Sequence, residues 1–323
     1  MANTTKQLKE ENQELLRQLN QIKNSKFYKL WQSYCNLRNK VFKNKHNNTY
    51  DYYHKNTFWN DHPLVIEYIN KLISGNPKID WMHYLYNNYF SNKKNSKLLS
   101  VICGNGWQDK EIDTIFNFQN IDGYDISQSL LNEAKKLNSS NKFNYYHSDL
   151  NKDFIKCKNY YDLAINLAGL HHIENMDHAV SQVHNSLKKG GIFAHFEYIG
   201  PKRNQYSDND LKYMNKMQHN FPSILVGREP IVRPNIEVML REDPSEAVGS
   251  ENIIPTLKKY FKIIELKYFN GGMLYQVLYN QIQHFDVNNL QHNQLLQKNL
   301  ELEEKMTQSK KVKPLFAFIV CQK

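Results

Sequence analysis

The sequence contains 323 residues, of which 40% are hydrophobic and 13% aromatic, and this composition excludes an intrinsically disordered chain. The formal net charge of +10 invites a nucleic-acid partner, but the lysines are scattered among asparagines rather than gathered in one stripe, which disfavours that partner. Because no apolar run reaches the roughly 18 residues of a transmembrane helix, and the N-terminus lacks a signal-peptide core, we expect a cytoplasmic protein.

The N-terminal segment, residues 1–40, contains a short heptad pattern. Leu8, Leu15 and Ile22 are spaced seven apart, and Leu19 occupies an intermediate position. This spacing predicts a helix that either lies on its own domain or forms a coiled coil for homo-oligomerisation or for a partner protein.

Residues 41–96 are rich in aromatic side chains and are predicted to be mainly helical. The apolar positions of residues 62–74 fall on one face of a helix. A helical region ahead of the first strand forms either a cap over a site or an ordinary part of the core, and the sequence leaves both alternatives open.

From residue 97 onward, short apolar strands alternate with helices. This alternation predicts a parallel sheet with right-handed crossovers, that is, an α/β fold of the Rossmann-like class. The predicted strands cover residues 97–103, 120–127, 143–150, 160–170 and 191–200, and the predicted helices between them cover residues 109–118, 128–138 and 178–191.

The last third of the chain departs from simple alternation. Residues 201–260 contain prolines and charges without a strand pattern and are predicted to be a lid or substrate-recognition insertion. Two further strands are predicted at residues 261–269 and 314–323, joined by a helical appendage that includes residues 286–309. The predicted division is therefore an N-terminal helix, a helical cap, a core, an insertion and a C-terminal part that completes the sheet: 1–40, 41–96, 97–200, 201–260 and 261–323.

Small or polar side chains follow four successive predicted strands. In open α/β sheets, a ligand lies beyond the carboxyl ends of the strands, so these side chains are predicted to line one crevice. Asp125 follows Gly104 by 21 residues, close to the spacing at which an acid reaches ribose hydroxyls. The candidate cofactor-binding residues are Ser100, Cys103, Gly104, Asn105 and Gly106, then Asp125 and Ile126, then Ser148, Asp149 and Leu150, and finally Asn166, Leu167 and Ala168.

The combination of glycine turn and strand-end acids resembles the class I S-adenosylmethionine (SAM)-dependent methyltransferases. The resemblance implies a seven-stranded methyltransferase sheet and SAM as the cofactor. It also implies that Gly104 and Gly106 hold the amino-acid end of SAM, that Asp125 binds the ribose, and that Asp149 contacts the adenine. The segments "LKKGG" (187–191) and "GLHHI" (169–173) are similar to the family's segments before strand five and after strand four.

The flanking segments resemble a bacterial subgroup of these enzymes that often accompanies glycosyltransferases in surface-glycan gene sets. The segments that carry this likeness include "EYIGPKRNQYSD" (197–208) and "NGGMLYQVLY" (270–279). The resemblance implies a small-molecule or glycan acceptor, methylated on an oxygen atom.

One position departs from the family pattern. The family usually has glycine where this chain has Ile102, which places a β-branched side chain beside the methionine end of the cofactor. A catalytically weak or inactive binding or assembly protein with the same fold is therefore the alternative to an active methyltransferase.

A hydroxyl acceptor needs a group that takes its proton, and histidine titrates in the appropriate range. The alternative role for His171 and His172 is hydrogen bonding at the start of a helix. The alternative role for Glu197 is a structural ion pair with Arg203 or Arg228. The candidate catalytic residues, at the ends of the fourth and fifth strands, are His171, His172, Glu197 and Tyr198.

The sequence does not predict a metal site. Five metal-ligating side chains fall in one region, but they lack the H-E-x-x-H spacing of zinc proteases. The four cysteines form no C-x-x-C pair, which indicates reduced thiols. These two groups are His171, His172, Glu174, His178 and His195, and Cys35, Cys103, Cys157 and Cys321.

The insertion carries several cationic side chains and a tyrosine. These residues either line a pocket for a hydroxyl-rich or phosphate-linked acceptor or are ordinary solvated surface charges. They are Lys202, Arg203, Tyr206, Arg228, Arg233 and Arg241.

Overall fold

The computed structural model describes residues 57–323. The heptad pattern and the first part of the predicted cap lie outside the described residues, and so does Cys35. The predicted N-terminal helix and coiled coil therefore stay predictions.

Within residues 57–323 the chain forms eleven α-helices and seven β-strands. The helices are α1 (Pro63–Ser74), α2 (Trp81–Tyr89), α3 (Trp107–Phe116), α4 (Gln128–Leu137), α5 (Met176–Ser186), α6 (Asp208–Gln218), α7 (Ser223–Val226), α8 (Ile236–Glu242), α9 (Ile253–Tyr260), α10 (Leu274–Leu278) and α11 (Leu290–Gln308). The strands are β1 (Lys97–Val101), β2 (Asn120–Asp125), β3 (Phe143–His147), β4 (Tyr161–Leu167), β5 (Leu187–Tyr198), β6 (Lys262–Tyr268) and β7 (Phe316–Gln322).

The seven described strands form one sheet in the order β3-β2-β1-β4-β5-β7-β6. Strands β1 to β5 run parallel to one another, whereas β7 pairs antiparallel with both β5 and β6. The predicted Rossmann-like, seven-stranded α/β fold is confirmed. The strand order reverses between β1 and β4, which is where an open α/β sheet forms a ligand crevice.

The boundary between α5 and β5 differs from the prediction. The helix expected over residues 178–191 ends at Ser186, and the "LKKGG" segment belongs to the strand. Leu187 pairs with Tyr161, and the register shifts between Tyr161 and Leu163. The early part of β5 is therefore an irregular strand, and Gly190 adopts a φ of +76° within it.

The sheet is covered on both faces, as expected for a largely parallel sheet. On one face, Leu98 and Ile165 pack with α1, α2, α3 and the C-terminal helices α10 and α11. On the other face, Leu99 and Phe193 pack with α5 and α9. Because adjacent strand residues point to opposite faces, the apolar run of β1 supplies both layers.

The predicted insertion, residues 201–260, contains α6 to α9 and none of the described strands. Helix α6 begins with a reciprocal capping box between Ser207 and Asp210. Among residues 57–323, none of the helices has the length and apolar character needed to cross a membrane.

Candidate functional site

The turn after β1 lies at the carboxyl edge of the sheet, beside β2. The Cys103 amide donates to the Tyr124 carbonyl (3.0 Å), and the Gly106 amide donates to the Cys103 carbonyl (3.0 Å). Gly104 and Gly106 have φ values of +54° and +69°, in the left-handed region that favours glycine.

The two glycines have different surroundings. A Cβ atom on Gly104 would have no other atom within 4 Å, so this residue faces open space. A Cβ atom on Gly106 would lie 2.6 Å from Tyr145 Oη and 2.9 Å from Ala134 Cβ. Gly104 therefore fronts the crevice, whereas Gly106 permits the start of α3 to pack against α4 and β3.

Asp125, at the end of β2, is fixed to this turn. Its Oδ2 accepts a hydrogen bond from the Gly104 amide (2.8 Å), and its Oδ1 accepts one from the Ser127 amide (2.7 Å). Burial raises the pKa of Asp125, although the two amide hydrogen bonds oppose the shift. The next side chain, Ile126, is 60% exposed. A carboxylate and an exposed apolar side chain therefore stand side by side at the crevice.

The loop after β3 is organised by its own side chains. Asp149 accepts hydrogen bonds from the Asn151 amide (3.1 Å) and side chain (3.0 Å) and lies 3.3 Å from Lys152 Nζ. Burial acts against ionisation, but these partners lower the pKa of Asp149. The Ser148 hydroxyl faces the Asp153 carboxylate (3.4 Å). Asp149 thus remains an ionised, partly exposed carboxylate next to the crevice.

Glu197, in β5, is the centre of the hydrogen bonds at the end of β4. Its Oε2 accepts from Asn166 Nδ2 (2.7 Å) and from the amides of Gly169 (3.0 Å) and Leu170 (2.8 Å). Its Oε1 accepts from the Tyr198 amide (2.7 Å) and lies 2.6 Å from His171 Nδ1. The carboxylate is fully buried, and these five donors occupy its lone pairs.

This environment differs from the expected role of Glu197 as a proton acceptor. Although burial acts in the opposite direction, His171 lowers the pKa of Glu197. The ion-pair partner is His171 rather than either predicted arginine: Arg203 donates to the Pro244 carbonyl and Arg228 to the Phe221 carbonyl. Glu197 therefore positions the segment after β4.

His171 and His172 lie in the 3-10 turn Leu170–His172 directly after β4, with their ring centroids 4.2 Å apart. Burial opposes protonation of His171, but the Glu197 carboxylate outweighs it and raises the pKa of His171 to about 9. Burial and the neighbouring His171 lower the pKa of His172. The pKa values of the two adjacent imidazoles are therefore shifted in opposite directions.

Several predicted site residues have side chains that belong to packing. The Ser100 and Cys103 side chains are buried, and Cys103 contacts Leu131 and Ala134 of α4. Leu150 lies in the core layer beneath α5. The Tyr198 hydroxyl donates to the Pro201 carbonyl (3.3 Å), and burial raises the pKa of this tyrosine well above its usual range.

The remaining predicted residues line the junction of β1 and β4. Asn166 is buried and bonded to Glu197, Leu167 packs partly against the core, and Ala168 is exposed with a φ of +48°. Asn105 Oδ1 is buried without a hydrogen-bond partner among the described residues.

Ile102 occupies the junction of these two strand ends in a strained conformation. Its φ is +56°, a region that β-branched residues rarely adopt. A Cβ atom on Gly169 would lie 2.8 Å from Ile102 Cβ, so the isoleucine side chain packs directly on the segment after β4.

Sequence reasoning missed Glu246, which lies in the insertion with its carboxylate 3.8 Å from His171 Nε2 and 3.9 Å from His172 Nε2. No local pattern around Glu246 signals this contact, because the residue lies within a turn rather than at the end of a strand. Of the other metal-ligating side chains considered, His178 Nε2 bonds to the Asp153 carbonyl (3.0 Å), and His195 is buried within the sheet.

Residues 99–195 match a family model described as a methyltransferase domain. This match extends from β1 into β5 and includes the glycine turn, Asp125 and both histidines. Residues 99–195 form a methyltransferase domain.

Comparison with solved structures gives distant matches to this chain. A SAM-dependent methyltransferase from Mesorhizobium loti is 17% identical, with coverage of 71% of this chain and 91% of that chain and a TM-score of 0.44. The [4+2]-cyclase SpnF is 13% identical, with coverage of 75% and 80% and a TM-score of 0.44.

A third match is an O-methyltransferase domain of a Brevibacillus brevis polyketide synthase, determined with S-adenosylhomocysteine. It is 12% identical, with coverage of 74% of this chain and 68% of that chain and a TM-score of 0.41. No curated protein sequence matches this chain.

Proposed function

We propose that the methyltransferase binds SAM at the carboxyl edge of β1, β2 and β4 and transfers its methyl group to a hydroxyl oxygen of a small molecule or glycan. The observation that carries the proposal is the 2.8 Å hydrogen bond between the Gly104 amide and Asp125 Oδ2. It fixes a carboxylate beside an open glycine turn at the switch in strand order.

The residues at this edge fit the cofactor. The open space above Gly104 leaves room for the amino-acid end, and Asp125, which accepts from the Gly104, Ser127 and Ile126 amides, retains a lone pair for a ribose hydroxyl. The exposed Ile126 side chain offers an apolar face to adenine, and Asp149 is available at its edge. SAM, when bound, supplies an activated methyl group whose transfer requires mainly alignment with the acceptor.

The acceptor side of the crevice is the cluster of His171, His172 and Glu246. The Ser245 hydroxyl donates its proton to Asp243 Oδ1 (2.9 Å), so it accepts from His172 Nδ1 (3.0 Å). This network assigns the proton of neutral His172 to Nδ1 and leaves a lone pair on Nε2. We propose that the cluster around this nitrogen receives the hydroxyl proton, and that Glu197 holds the cluster in place.

The insertion supports an uncharged acceptor. Arg203 and Arg228 donate to backbone carbonyls, and Arg233 forms an ion pair with Asp208. These cations stabilise the insertion itself rather than forming an open phosphate-binding group. A hydroxyl-rich acceptor fits this surface, and the glycan class follows from the sequence resemblance alone.

A second candidate function is ligand binding without catalysis, and the strained Ile102 favours it. The isoleucine side chain lies between the glycine turn and Gly169, where the methionine end of SAM would lie. In that case the protein would bind SAM weakly or not at all.

Calorimetric titration with SAM and with S-adenosylhomocysteine tests the proposal. We expect binding by the wild-type chain and at least a tenfold weaker affinity for Asp125→Asn, which loses the charge that attracts ribose hydroxyls. Asp177→Asn is the matched control, because Asp177 is exposed and pairs with Lys259 on the surface. Equal affinities of the wild type and Asp125→Asn would contradict the ribose assignment, and absence of binding by the wild type would favour the second candidate.

A further inference from the structure

Three metal-ligating side chains converge where the insertion meets the end of β4. His171 and His172 come from the 3-10 turn after β4, and Glu246 comes from the loop before α9. One ligand atom from each lies within 4.8 Å of the others. Within residues 57–323, these three side chains form the group of three or more His, Cys, Asp or Glu residues that is close enough together to hold a metal ion.

Each of the three side chains is oriented by a second group. His171 Nδ1 lies 2.6 Å from Glu197 Oε1, and His172 Nδ1 lies 3.0 Å from Ser245 Oγ. Glu246 Oε1 accepts from Asn204 Nδ2 (3.3 Å). The atoms left facing one another are the two Nε2 nitrogens and Glu246 Oε2, as in metal sites where the outer nitrogen of each histidine is held by a hydrogen bond.

The backbone holds the two segments together. The Gly249 amide donates to the His171 carbonyl (2.9 Å), and the Arg203 amide donates to the Ala247 carbonyl (2.9 Å). A Cβ atom on Gly249 would lie 2.0 Å from the Ile173 carbonyl oxygen, so only glycine permits this approach. The position of Glu246 relative to the histidines is therefore fixed by the fold rather than by the side chains alone.

We propose that His171 Nε2, which would release its proton to solvent on binding, His172 Nε2 and Glu246 Oε2 bind a divalent transition-metal ion of the Zn²⁺ type. Two imidazoles and one carboxylate favour such an ion over Mg²⁺ or Ca²⁺, which prefer oxygen ligands. With metal–ligand bonds of about 2.0–2.1 Å in tetrahedral geometry, ligand atoms lie roughly 3.3 Å apart. The two nitrogen–oxygen separations of 3.8 and 3.9 Å would need to shorten by about half an ångström, and all three ligand atoms lie within 4.8 Å of one another.

Three protein ligands leave a fourth coordination position for a water molecule or a substrate oxygen. On the basis of the proposed methyl transfer to oxygen, that position receives the acceptor hydroxyl. A coordinated hydroxyl would lose its proton more readily, and the proton would pass to solvent water because the ion occupies the lone pairs of the cluster. The hydroxyl oxygen would then form the C–O bond as the S–CH₃ bond breaks and S-adenosylhomocysteine leaves. His171, His172 and Glu246 would then act on the acceptor through the ion, and the lone pair of His172 Nε2 would bind the ion.

Titration of the metal-stripped full-length chain with Zn²⁺ tests this site. We expect one Zn²⁺ per chain and an affinity at least 100-fold weaker in His172→Ala and in Glu246→Gln. Ser245→Ala should weaken binding about tenfold, because it removes only the group that orients His172. His219→Ala is the matched control, since His219 is an exposed histidine of the same insertion, and it should bind Zn²⁺ as the wild type does.

Circular dichroism checks that each variant folds, and Glu246→Gln keeps the test decisive if His172→Ala is unstable, because Glu246 is partly exposed. Co²⁺ added in place of Zn²⁺ should give visible absorption typical of a four-coordinate site in the wild type and lose it in Glu246→Gln. Equal Zn²⁺ affinities of the wild type and Glu246→Gln would overturn the site. SAM titration of the metal-free chain is measured separately, so SAM binding without Zn²⁺ binding rejects this inference and leaves the proposed function intact.

Discussion

Glu197 Oε1 lies 2.6 Å from His171 Nδ1, and the same carboxylate binds the backbone of the segment that carries both histidines. The residue therefore connects β5 to the acceptor side of the site. Because it is fully buried, its charge is stabilised by five donors rather than by water.

Replacement of Glu197 by glutamine should strongly destabilise the domain. The NH₂ group of the glutamine would face N–H donors that now bind the Glu197 carboxylate, so these donors would lose their acceptor. Protonated His171 would also lose its counter-ion. Breaking a buried pair in this way costs about 3–5 kcal/mol. Urea unfolding followed by circular dichroism measures the loss, with the exposed Glu251→Gln as control. A free energy of unfolding equal to that of the control would show that Glu197 does not hold this segment.

Alanine substitutions at Gly104 and Gly106 should affect different properties: SAM affinity at Gly104 and the free energy of unfolding at Gly106. Alanine at Gly104 meets no atom within 4 Å, so only the positive φ opposes it, at a cost of about 1 kcal/mol. Its methyl group would nevertheless enter the crevice, and we expect SAM affinity to fall at least tenfold. Calorimetry and urea unfolding of the same sample measure both quantities.

Alanine at Gly106 should give the opposite pattern. Its methyl group would lie 2.6 Å from Tyr145 Oη and 2.9 Å from Ala134 Cβ, so α3 and α4 would have to move apart. We expect a loss of stability of about 2–4 kcal/mol, from overpacking together with the positive φ. Similar unfolding free energies for Gly104→Ala and Gly106→Ala would contradict this division of roles.

The stability of the domain should decrease in mild acid, in part through His62. The ring caps α1 by accepting from the Leu64 amide (3.2 Å), and this acceptor exists only in the neutral form. Burial and the nearby His292 of α11 lower the pKa of His62 from 6.5 to about 4. In the unfolded chain, His62 therefore becomes protonated below pH 6.5, whereas in the folded chain it becomes protonated only near pH 4.

The free energy of unfolding should consequently fall as the pH drops from 6.5 to 4, by up to about 3 kcal/mol from His62 alone. His62→Asn retains a capping side chain but does not titrate, so its stability should depend less on pH in that window. Urea unfolding of both proteins at pH 7, 5 and 4 measures the difference. Parallel pH profiles for the two proteins would rule out this contribution.

The features that the sequence predicted are those with regular periodicity. Alternating apolar strands and helices specify a parallel sheet, and the ends of such strands must lie at one edge, so the proximity of Gly104 and Asp125 follows from their positions. The start of β5 was misplaced because helix and strand are both compatible with the "SLKKGG" segment. Only the tertiary pairing of Leu187 with Tyr161 decides between them.

The acceptor side of the site could not be predicted in the same way. Glu246 reaches the histidines through an irregular loop whose path depends on contacts such as the Gly249 amide to the His171 carbonyl. The saturation of Glu197 is also a tertiary result, since its donors come from three segments. Sequence alone identified Glu197 and the two histidines but not Glu246, and it did not show whether the lone pairs of Glu197 were free.

Ile102 decides between the two candidate functions. Its positive φ costs a β-branched residue roughly 1–2 kcal/mol, and its side chain packs against Gly169. We expect Ile102→Gly to raise SAM affinity about tenfold, because it removes both the strain and the bulk. Ile102→Ala separates the two causes: it keeps a Cβ at positive φ and removes only the bulk, so a gain in Ala equal to that in Gly assigns the effect to steric exclusion. Calorimetric titration measures all three proteins. If neither variant gains affinity, the isoleucine side chain lies outside the cofactor's path, and the wild-type affinity alone decides whether the protein is an active methyltransferase.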